Sequence, residues 1–322
     1  MFKIKTSNKI MGFIAATLLF SSVLTSCKKS DDNSQNSGNA QTSMGTTDAA
    51  IDDASVSGVF VTIADIKLDG QSIKGFNKTT INLAAFKNGN VRNIGNFSLQ
   101  GKSYSNVTFV LDYDKDSAGV APGAYVLTTD NAKHALTSST NTITVSKSFI
   151  LKDTAQNALV ADFDLRKMLV HPTTGDTASY TFVTAAELQN SVRIVDAKQS
   201  ANISGTFTNT VYSADTVVAY IYKAGTYTSN EIQEQGASHV RFANAVTSSI
   251  VGAAGAYKLS LLDSGSYEIH FASYNDVNHD GRLVLQGLFT STATGANILS
   301  FILGAKTDIN LDVTATANVS IN

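Results

Sequence analysis

Cysteine, tryptophan and proline are scarce in this chain. Its 322 residues contain one cysteine (Cys27), no tryptophan and two prolines. A single cysteine excludes an internal disulfide framework and a site built from several thiolates. Without tryptophan, a platform that stacks on sugars has to use tyrosine. The formal net charge is only −2, so no strongly basic surface is expected to attract nucleic acid.

The N-terminus has the layout of a secretory leader. Three lysines in the first nine residues precede an apolar stretch over residues 10–24, which is too short to span a membrane. The run Leu-Thr-Ser-Cys that ends at Cys27 resembles the bacterial lipoprotein signal, in which the cysteine is acylated and becomes the new N-terminus. The resemblance implies a signal peptide over residues 1–26 and a lipid anchor that attaches Cys27 to a membrane. An ordinary secretory signal is the alternative.

Charged residues directly after Cys27 indicate where such a lipoprotein is carried. The run Lys-Lys-Ser-Asp-Asp over residues 28–32 resembles the signal that exports Bacteroidota lipoproteins to the outer face of the outer membrane. We therefore expect a surface-exposed outer-membrane protein, with a periplasm-facing position as the alternative. Residues 33–50 are mostly small and polar, so we predict that residues 27–51 form a flexible tether.

Period-2 alternation of apolar residues predicts strands along the rest of the chain, and long helical periodicity is scarce. Val59, Val61 and Ile63 share one face, after which the apolar set changes parity to Ile66 and Leu68. This change indicates a β-bulge or a strand that crosses between sheets. We predict an all-β protein with two tandem antiparallel β-sandwiches, of the Ig-like or transthyretin-like kind, over residues 52–197 and 201–322.

Short motifs in the first predicted sandwich follow the order of a known family. They are Val-Phe-Val-Thr-Ile with Ile-Lys-Leu (59–68), Ser-Asn-Val-Thr-Phe-Val-Leu (105–111), Leu-Val-Ala-Asp-Phe-Asp (159–164) and Ser-Val-Arg-Ile-Val (191–195). These motifs resemble domain of unknown function 4382, which occurs in bacterial lipoproteins. The resemblance implies a sandwich fold and an envelope location, and it implies no activity.

The second predicted sandwich contains a paired motif. Gly-Ala-Tyr-Lys-Leu (255–259) and Gly-Ser-Tyr-Glu-Ile-His-Phe (265–271) flank a tight turn at residues 263–265, which predicts two strands around that turn. The pair resembles the repeat of transthyretin-like, carboxypeptidase-regulatory-like sandwiches. Such modules serve as stalks, pilin units and sugar-binding domains, so the resemblance implies a fold and not a function.

One loop has the spacing of a calcium site. Asp276, Asn278 and Asp280 lie two residues apart before a glycine, and the backbone carbonyl of Arg282 offers a further oxygen. The twelfth position is Gly287, where an EF-hand needs a bidentate glutamate, so a full EF-hand is not expected. Calcium is the only cofactor that the sequence suggests. An Asx-rich turn that caps its own backbone is the alternative.

The sequence presents no set of residues that requires catalysis. The five histidines are scattered, and none lies at metal-ligand spacing from another: His134, His171, His239, His270 and His279. Two aspartate pairs, Asp112 with Asp114 and Asp162 with Asp164, each share a strand face. They would form a metal or catalytic site only if all four converge, and otherwise they belong to a solvated sheet face or a strand-end turn.

We therefore expect a non-catalytic surface lipoprotein with an adhesive, envelope-structural or ligand-binding role, and with a surface glycan or protein as its partner. The sugar-stacking candidates are Tyr220, Tyr222 and Tyr227, unless they face the core. A pilin-like subunit is the first alternative, and it requires the last strands, near residues 309–313 and 319–321, to leave an open groove for strand exchange. A hydrolase that uses the four aspartates is the second.

Overall fold

The computed structural model describes residues 38–49, 51, 53–170, 180–279 and 281–321. The predicted signal peptide, Cys27, His171 and Asp280 lie outside these ranges. Residues 37–322 belong to one compact unit, and the described part of it consists mainly of strands, as predicted. None of the helices in the described ranges is long and apolar enough to cross a membrane.

The first strand group ends at residue 196. Its elements are β1 (Asn39–Ala49), β2 (Val56–Leu68), β3 (Gln71–Ser72), β4 (Thr79–Asn82), a 3-10 helix (Leu83–Ala85), β5 (Arg92–Gln100), β6 (Ser103–Leu111), β7 (Tyr125–Thr128), β8 (Lys133–Ala135), β9 (Thr142–Ile150), β10 (Asn157–Asp164), α1 (Leu165–Met168), β11 (Leu169–Val170), β12 (Thr181–Phe182), α2 (Ala185–Asn190) and β13 (Val192–Asp196). One sheet has the order β13-β10-β1-β5, and the other has the order β8-β7-β2-β6-β9 with β3 and β4 paired to β2. Their inner faces share one apolar core, in which the ring of Phe163 lies 5.5 Å from that of Phe109. The group is therefore a sandwich.

The β2 strand confirms the bulge that its sequence predicts. Val59, Val61 and Ile63 are buried, and the register against β6 then shifts between Ile63 and Asp65. The shift returns Ile66 and Leu68 to the same core, because an inserted residue reverses which side chains face inward.

The prediction of a flexible tether is wrong for residues 39–49. They form β1, which lies inside its sheet, antiparallel to β5 and parallel to β10. The parallel pair also corrects the prediction of wholly antiparallel sandwiches. Ala40, Thr42, Met44 and Thr46 are all buried. Paired backbone on both sides and small buried side chains hold this segment, although its polar composition indicates a linker.

The second strand group begins at residue 201. Its elements are β14 (Ala201–Thr208), β15 (Thr216–Lys223), a 3-10 helix (Ser229–Ile232), β16 (Thr247–Ile250), β17 (Ala256–Leu262), β18 (Gly265–Asn275), β19 (Val284–Ala293), β20 (Phe301–Leu303), β21 (Asp308–Asn310) and β22 (Val313–Ser320). They join in the order β16-β15-β18-β19-β22-β14-β17, with β20 on β18 and β21 on β14. Phe207 of β14 stacks on Phe271 of β18, with the ring centroids 4.2 Å apart. The sheet therefore curls so that its distant strands enclose one core.

The strand pairing in this group tests two predictions, the tight turn between paired strands at residues 263–265 and the open groove of a pilin-like subunit. The strands on either side of residues 263–265 do not form a hairpin: β17 pairs with β14, whereas β18 pairs with β15, β19 and β20. The turn instead carries the chain from one side of the core to the other. The last strand, β22, lies inside the sheet, because it pairs with β19 on one side and with β14 on the other. The open groove that the pilin alternative requires is therefore not formed by these strands.

Candidate ligand site between the two strand groups

The β10 strand presents two aspartates on the face that points away from the first core. Asp162 and Asp164 are each 4% exposed. Asp162 forms an ion pair with Arg193 of β13 at 2.6 Å, and Asp164 forms pairs with Arg166 and Lys167 of α1 at 3.1 Å each. Buried carboxylates need such partners, because an unpaired charge in the interior is costly. These aspartates therefore do not belong to a solvated sheet face.

The two carboxyl groups differ in their proton affinity. Burial raises the pKa of Asp162 above its ordinary value, and the Arg193 guanidinium only partly offsets this effect. Burial also acts to raise the pKa of Asp164, but the adjacent Arg166 and Lys167 outweigh it and leave this pKa below its ordinary value. Asp164 is therefore the more firmly ionised of the pair.

The three cations reach from the first strand group to backbone carbonyls of the second. Arg193 donates to Ser260 and Leu261, Arg166 to Arg241 and Phe242, and Lys167 to Ala245. Beside them Val160, Val195 and Leu261 form a small apolar cluster. We call this contact the seam: residues 160–167 and 193–195 of the first group with residues 241–245 and 260–261 of the second. The aspartates of β10 orient the cations that join the two groups.

A cavity of about 530 Å³ opens at one end of the seam. Its charged lining residues are Arg166, Arg241, Arg282, His239, Asp53 and Glu234, and its apolar wall includes Leu169, Phe242 and Leu283. The volume lies in the range of small-molecule sites, which are mostly apolar with a few converging polar groups. We call this space the seam cavity.

Three arginines and two carboxylates line the seam cavity, and one of the arginines, Arg166, is paired with Asp164 outside the lining. Arg241 donates from Nη2 to Oε1 of Glu234 at 3.1 Å, and His239 Nδ1 lies 3.4 Å from the other oxygen of that carboxylate. The Nε of Arg241 is buried and has no hydrogen-bond partner within the described ranges. The guanidinium therefore keeps donor capacity that its own ion pair does not use.

One wall of the seam cavity is a strained loop. His239 and Phe242 have φ angles of 57° and 52°, a region that non-glycine residues rarely adopt. A reciprocal pair of backbone hydrogen bonds between Gln235 and Val240 spans the loop, and the Phe242 ring stacks on Tyr220 at 4.0 Å. Strain that the surroundings hold in place is common at binding sites.

The loop is also fastened to the first strand group through α2. Glu187 forms a capping box with Thr184 at the start of this helix, and its carboxylate accepts hydrogen bonds from the backbone N–H and hydroxyl of Ser238. Burial opposes ionisation, but the hydrogen bonds from Ser238 and Thr184 outweigh it and lower the pKa of Glu187 to about 2. The loop is therefore held by an ionised carboxylate at neutral pH.

The four aspartates of the hydrolase hypothesis do not converge. Asp112 follows β6, in the sheet opposite β10. It accepts from the backbone N–H groups of Asp114 and Lys115 and pairs with Lys78 at 2.7 Å. This is a strand-end turn. Within the described ranges, no group of three histidine, cysteine, aspartate or glutamate side chains is arranged to hold a metal ion.

The tyrosines that were candidates for sugar stacking face inward. Tyr220 and Tyr222 are 0% exposed. The Tyr222 hydroxyl donates to Glu231 at 3.0 Å, and burial, followed by the charge of Glu231, raises its pKa. Tyr227 is half-buried and stacks on His270 at 3.9 Å. A sugar platform on Tyr220 and Tyr222 is therefore wrong.

The predicted calcium loop is described in part. The Asp276 carboxylate accepts from the N–H of Gly281, five residues further on, at 3.0 Å, and Asn278 is exposed. Asp280 lies outside the described residues. The backbone of Arg282 forms an isolated antiparallel β-bridge with Asp53 of the first strand group. The carbonyl of Gly281 accepts a hydrogen bond from the backbone N–H of Ala54 at 2.9 Å. Calcium binding by this loop stays a prediction.

Comparison with known proteins identifies the first strand group. Residues 39–183 match the family model described as Domain of unknown function (DUF4382). The match supports the resemblance of the first strand group to this family that its motifs predict. It starts at the first residue of β1, a strand that lies inside its sheet. No curated protein matches the chain.

Solved structures give only distant likenesses. A leucine-rich repeat protein from Bacteroides thetaiotaomicron VPI-5482 is 10% identical over 86% of this chain and 26% of its own, with a TM-score of 0.22. The Bacillus anthracis TIE protein is 12% identical over 87% of this chain and 34% of its own, with a TM-score of 0.20. BcpA, the major pilin subunit of Bacillus cereus, is 9% identical over 83% of this chain and 61% of its own, with a TM-score of 0.21. This chain thus spans about a quarter of the length of the first protein and about a third of the length of the second. TM-scores this low support no functional argument.

Proposed function

We propose that the protein is a lipid-anchored, surface-exposed binding protein without catalytic activity, and that its ligand site is the seam cavity. The anchor is Cys27, and the outer face of the outer membrane is the expected location. The observation that carries the proposal is the 530 Å³ cavity with arginines in its wall. The ligand we propose is a small organic anion, with acidic sugars as the first candidates.

The charge and donor pattern of the cavity supports an anion. Arg241 and Arg282 line it from the second strand group, and a guanidinium suits a carboxylate because its planar N–H groups match two oxygens at once. The apolar wall formed by Leu169 and Leu283 supplies contact area for a carbon skeleton. The seam fixes both walls, so a ligand would meet a site that is already formed.

A glycan array tests the proposal. The chain from residue 27 with Cys27→Ser should be applied to neutral, uronic-acid, sialylated and sulfated sugars. We expect binding to acidic sugars that falls at least tenfold in the double variant Arg241→Ala, Arg282→Ala. Arg92→Ala is the matched control, because Arg92 is exposed on β5, outside the lining of the cavity.

Two results would contradict the proposal. Binding that is equal in the double variant and in the Arg92 control would place the ligand elsewhere. Steady turnover of an arrayed sugar or its chromogenic ester by the wild type would contradict the absence of catalysis. A neutral sugar that binds in the cavity would keep the site and change the ligand class.

A further inference from the structure

A second, much smaller cavity lies inside the seam, close to the start of α1. Its volume is about 10 Å³, which is room for about one water molecule or one bare ion. The residues around it that carry side-chain oxygens are Thr47, Asp48, Asn88, Asp162, Thr247, Ser248 and Ser260. They come from both strand groups. Lys258 also lines the cavity, but it is exposed.

Three buried oxygens at this cavity lack a partner. Asp48 is 4% exposed, and one carboxylate oxygen accepts from the N–H of Leu165 at 3.1 Å. Its other oxygen has no hydrogen-bond partner within the described ranges, and neither do the hydroxyls of Ser248 and Ser260. Buried polar atoms are nearly always satisfied, so three unsatisfied atoms around one small space indicate that something occupies it.

The donor set favours a metal cation over other occupants. Carboxylate, hydroxyl and amide oxygens are the ligands of hard cations, of which calcium takes six to eight at about 2.3–2.6 Å. Asp162 already balances Arg193, whereas Asp48 forms no ion pair within the described ranges. Gly89 closes the cavity: an added Cβ there would lie 2.5 Å from the Ser260 hydroxyl oxygen. A larger side chain at this position would fill the space that an ion needs.

We propose that this cavity binds one hard metal cation, with Asp48 as its principal ligand and Ser248 and Ser260 as neutral ligands from the second strand group. The ion would join the two groups at the seam. This site is independent of the proposed ligand cavity and of the predicted loop at Asp276.

Burial and neighbouring charges both act on the Asp48 carboxyl group. Burial raises the pKa of Asp48 well above its ordinary value, although the Leu165 N–H opposes this, and Asp162 and Asp164 add to the rise. Lys87 opposes it, and the remaining charged groups nearby are Arg193 and Lys258.

Thermal unfolding with added cations tests the proposal. The chain from residue 27 with Cys27→Ser should be stripped with a chelator and heated with calcium, magnesium, sodium or potassium chloride at matched ionic strength. We expect one of these cations to raise the melting temperature of the wild type by roughly 5 °C at about a hundredfold excess over Kd. Asp48→Asn, which keeps the shape of the side chain, should abolish the rise. Asp276→Asn is the matched control and should keep it.

Each other outcome decides against the site. No rise with any cation would mean that the cavity binds none of them. A rise that Asp276→Asn abolishes and Asp48→Asn retains would assign the cation to the other loop. If Asp48→Asn fails to fold, Ser260→Ala should weaken cation binding at least fivefold in calorimetry, and unchanged affinity in that variant would overturn the proposal.

Discussion

Replacement of Arg166 by methionine should separate the contribution of the seam from that of the two cores. The Arg166 guanidinium pairs with Asp164 at 3.1 Å and donates to the carbonyls of Arg241 and Phe242 across the seam, and its side chain is 3% exposed. Methionine keeps much of the volume and removes the charge and these three contacts. Lys167 would then be the remaining cation paired with the buried Asp164.

The expected cost of Arg166→Met is about 3–5 kcal/mol of unfolding free energy, the range for removing one partner of a buried ion pair. Two carbonyls that lose a charged donor contribute to this figure, since each such bond is worth about 1.5–3 kcal/mol. Urea unfolding followed by far-ultraviolet circular dichroism and tyrosine fluorescence measures it. If the seam alone couples the groups, the variant should also unfold in two steps.

Arg241→Met is the matched control for this experiment. Arg241 lines the same cavity, but its pair with Glu234 is solvent-exposed and should contribute at most about 1 kcal/mol. The reasoning is refuted if Arg166→Met unfolds within about 1 kcal/mol of the wild type, in one transition with the same denaturant slope. If Arg166→Met does not accumulate, Arg166→Lys should show a smaller loss of unfolding free energy, because lysine retains the charge and lacks only the planar set of N–H donors of the guanidinium.

Three further predictions follow from other parts of the molecule. Cys27→Ser should move the protein from the membrane fraction to the soluble fraction, and sedimentation with membranes would contradict the anchor. Asp48→Asn should gain stability relative to the wild type as pH rises above about 4, by up to about 1.4 kcal/mol per pH unit. The reason is that the raised pKa of Asp48 makes the native wild type bind more protons than its unfolded state. Urea unfolding in the presence of a chelator measures the difference, and a difference that stays constant with pH contradicts the prediction. Gly205→Ala should lower the free energy of unfolding by about 1–3 kcal/mol, because its Cβ would lie 2.0 Å from the carbonyl oxygen of Leu311. Gly252→Ala is the control, since its Cβ meets only an ordinary contact at 3.5 Å. Equal melting temperatures of the two variants would refute the close contact between Gly205 and Leu311.

The parts of the fold that the sequence predicts are those with a strong period-2 signal. In β2 and β10 the inward residues alternate with residues of the other face, so strand and orientation follow from the pattern. The β1 strand has no such signal, because threonines fill buried positions that apolar residues usually occupy. The turn at residues 263–265 has the composition of a hairpin, yet strand pairing depends on tertiary contacts that a local pattern does not encode.

The seam was missed for a related reason. Asp162 and Asp164 are visible in the sequence as a pair, but their partners lie at other positions of the chain, and pairing depends on the neighbouring strands. Arg193 faces Asp162 directly in the ladder between β10 and β13. A basic residue that alternates with apolar ones in β13 was the available signal. The second strand group contributes mainly backbone carbonyls to the seam, and these leave no trace in side-chain chemistry.

Hydrogen exchange with bound ligand is the most direct test of the central claim, that the seam cavity is the binding site. The chain with Cys27→Ser should be measured with and without the tightest acidic sugar of the array. We predict that protection increases in residues 234–242 and 282–285, which form or adjoin the cavity wall, and that Arg241→Ala with Arg282→Ala removes the increase. Protection confined to surfaces outside the seam cavity, or none at saturating sugar, would contradict the claim.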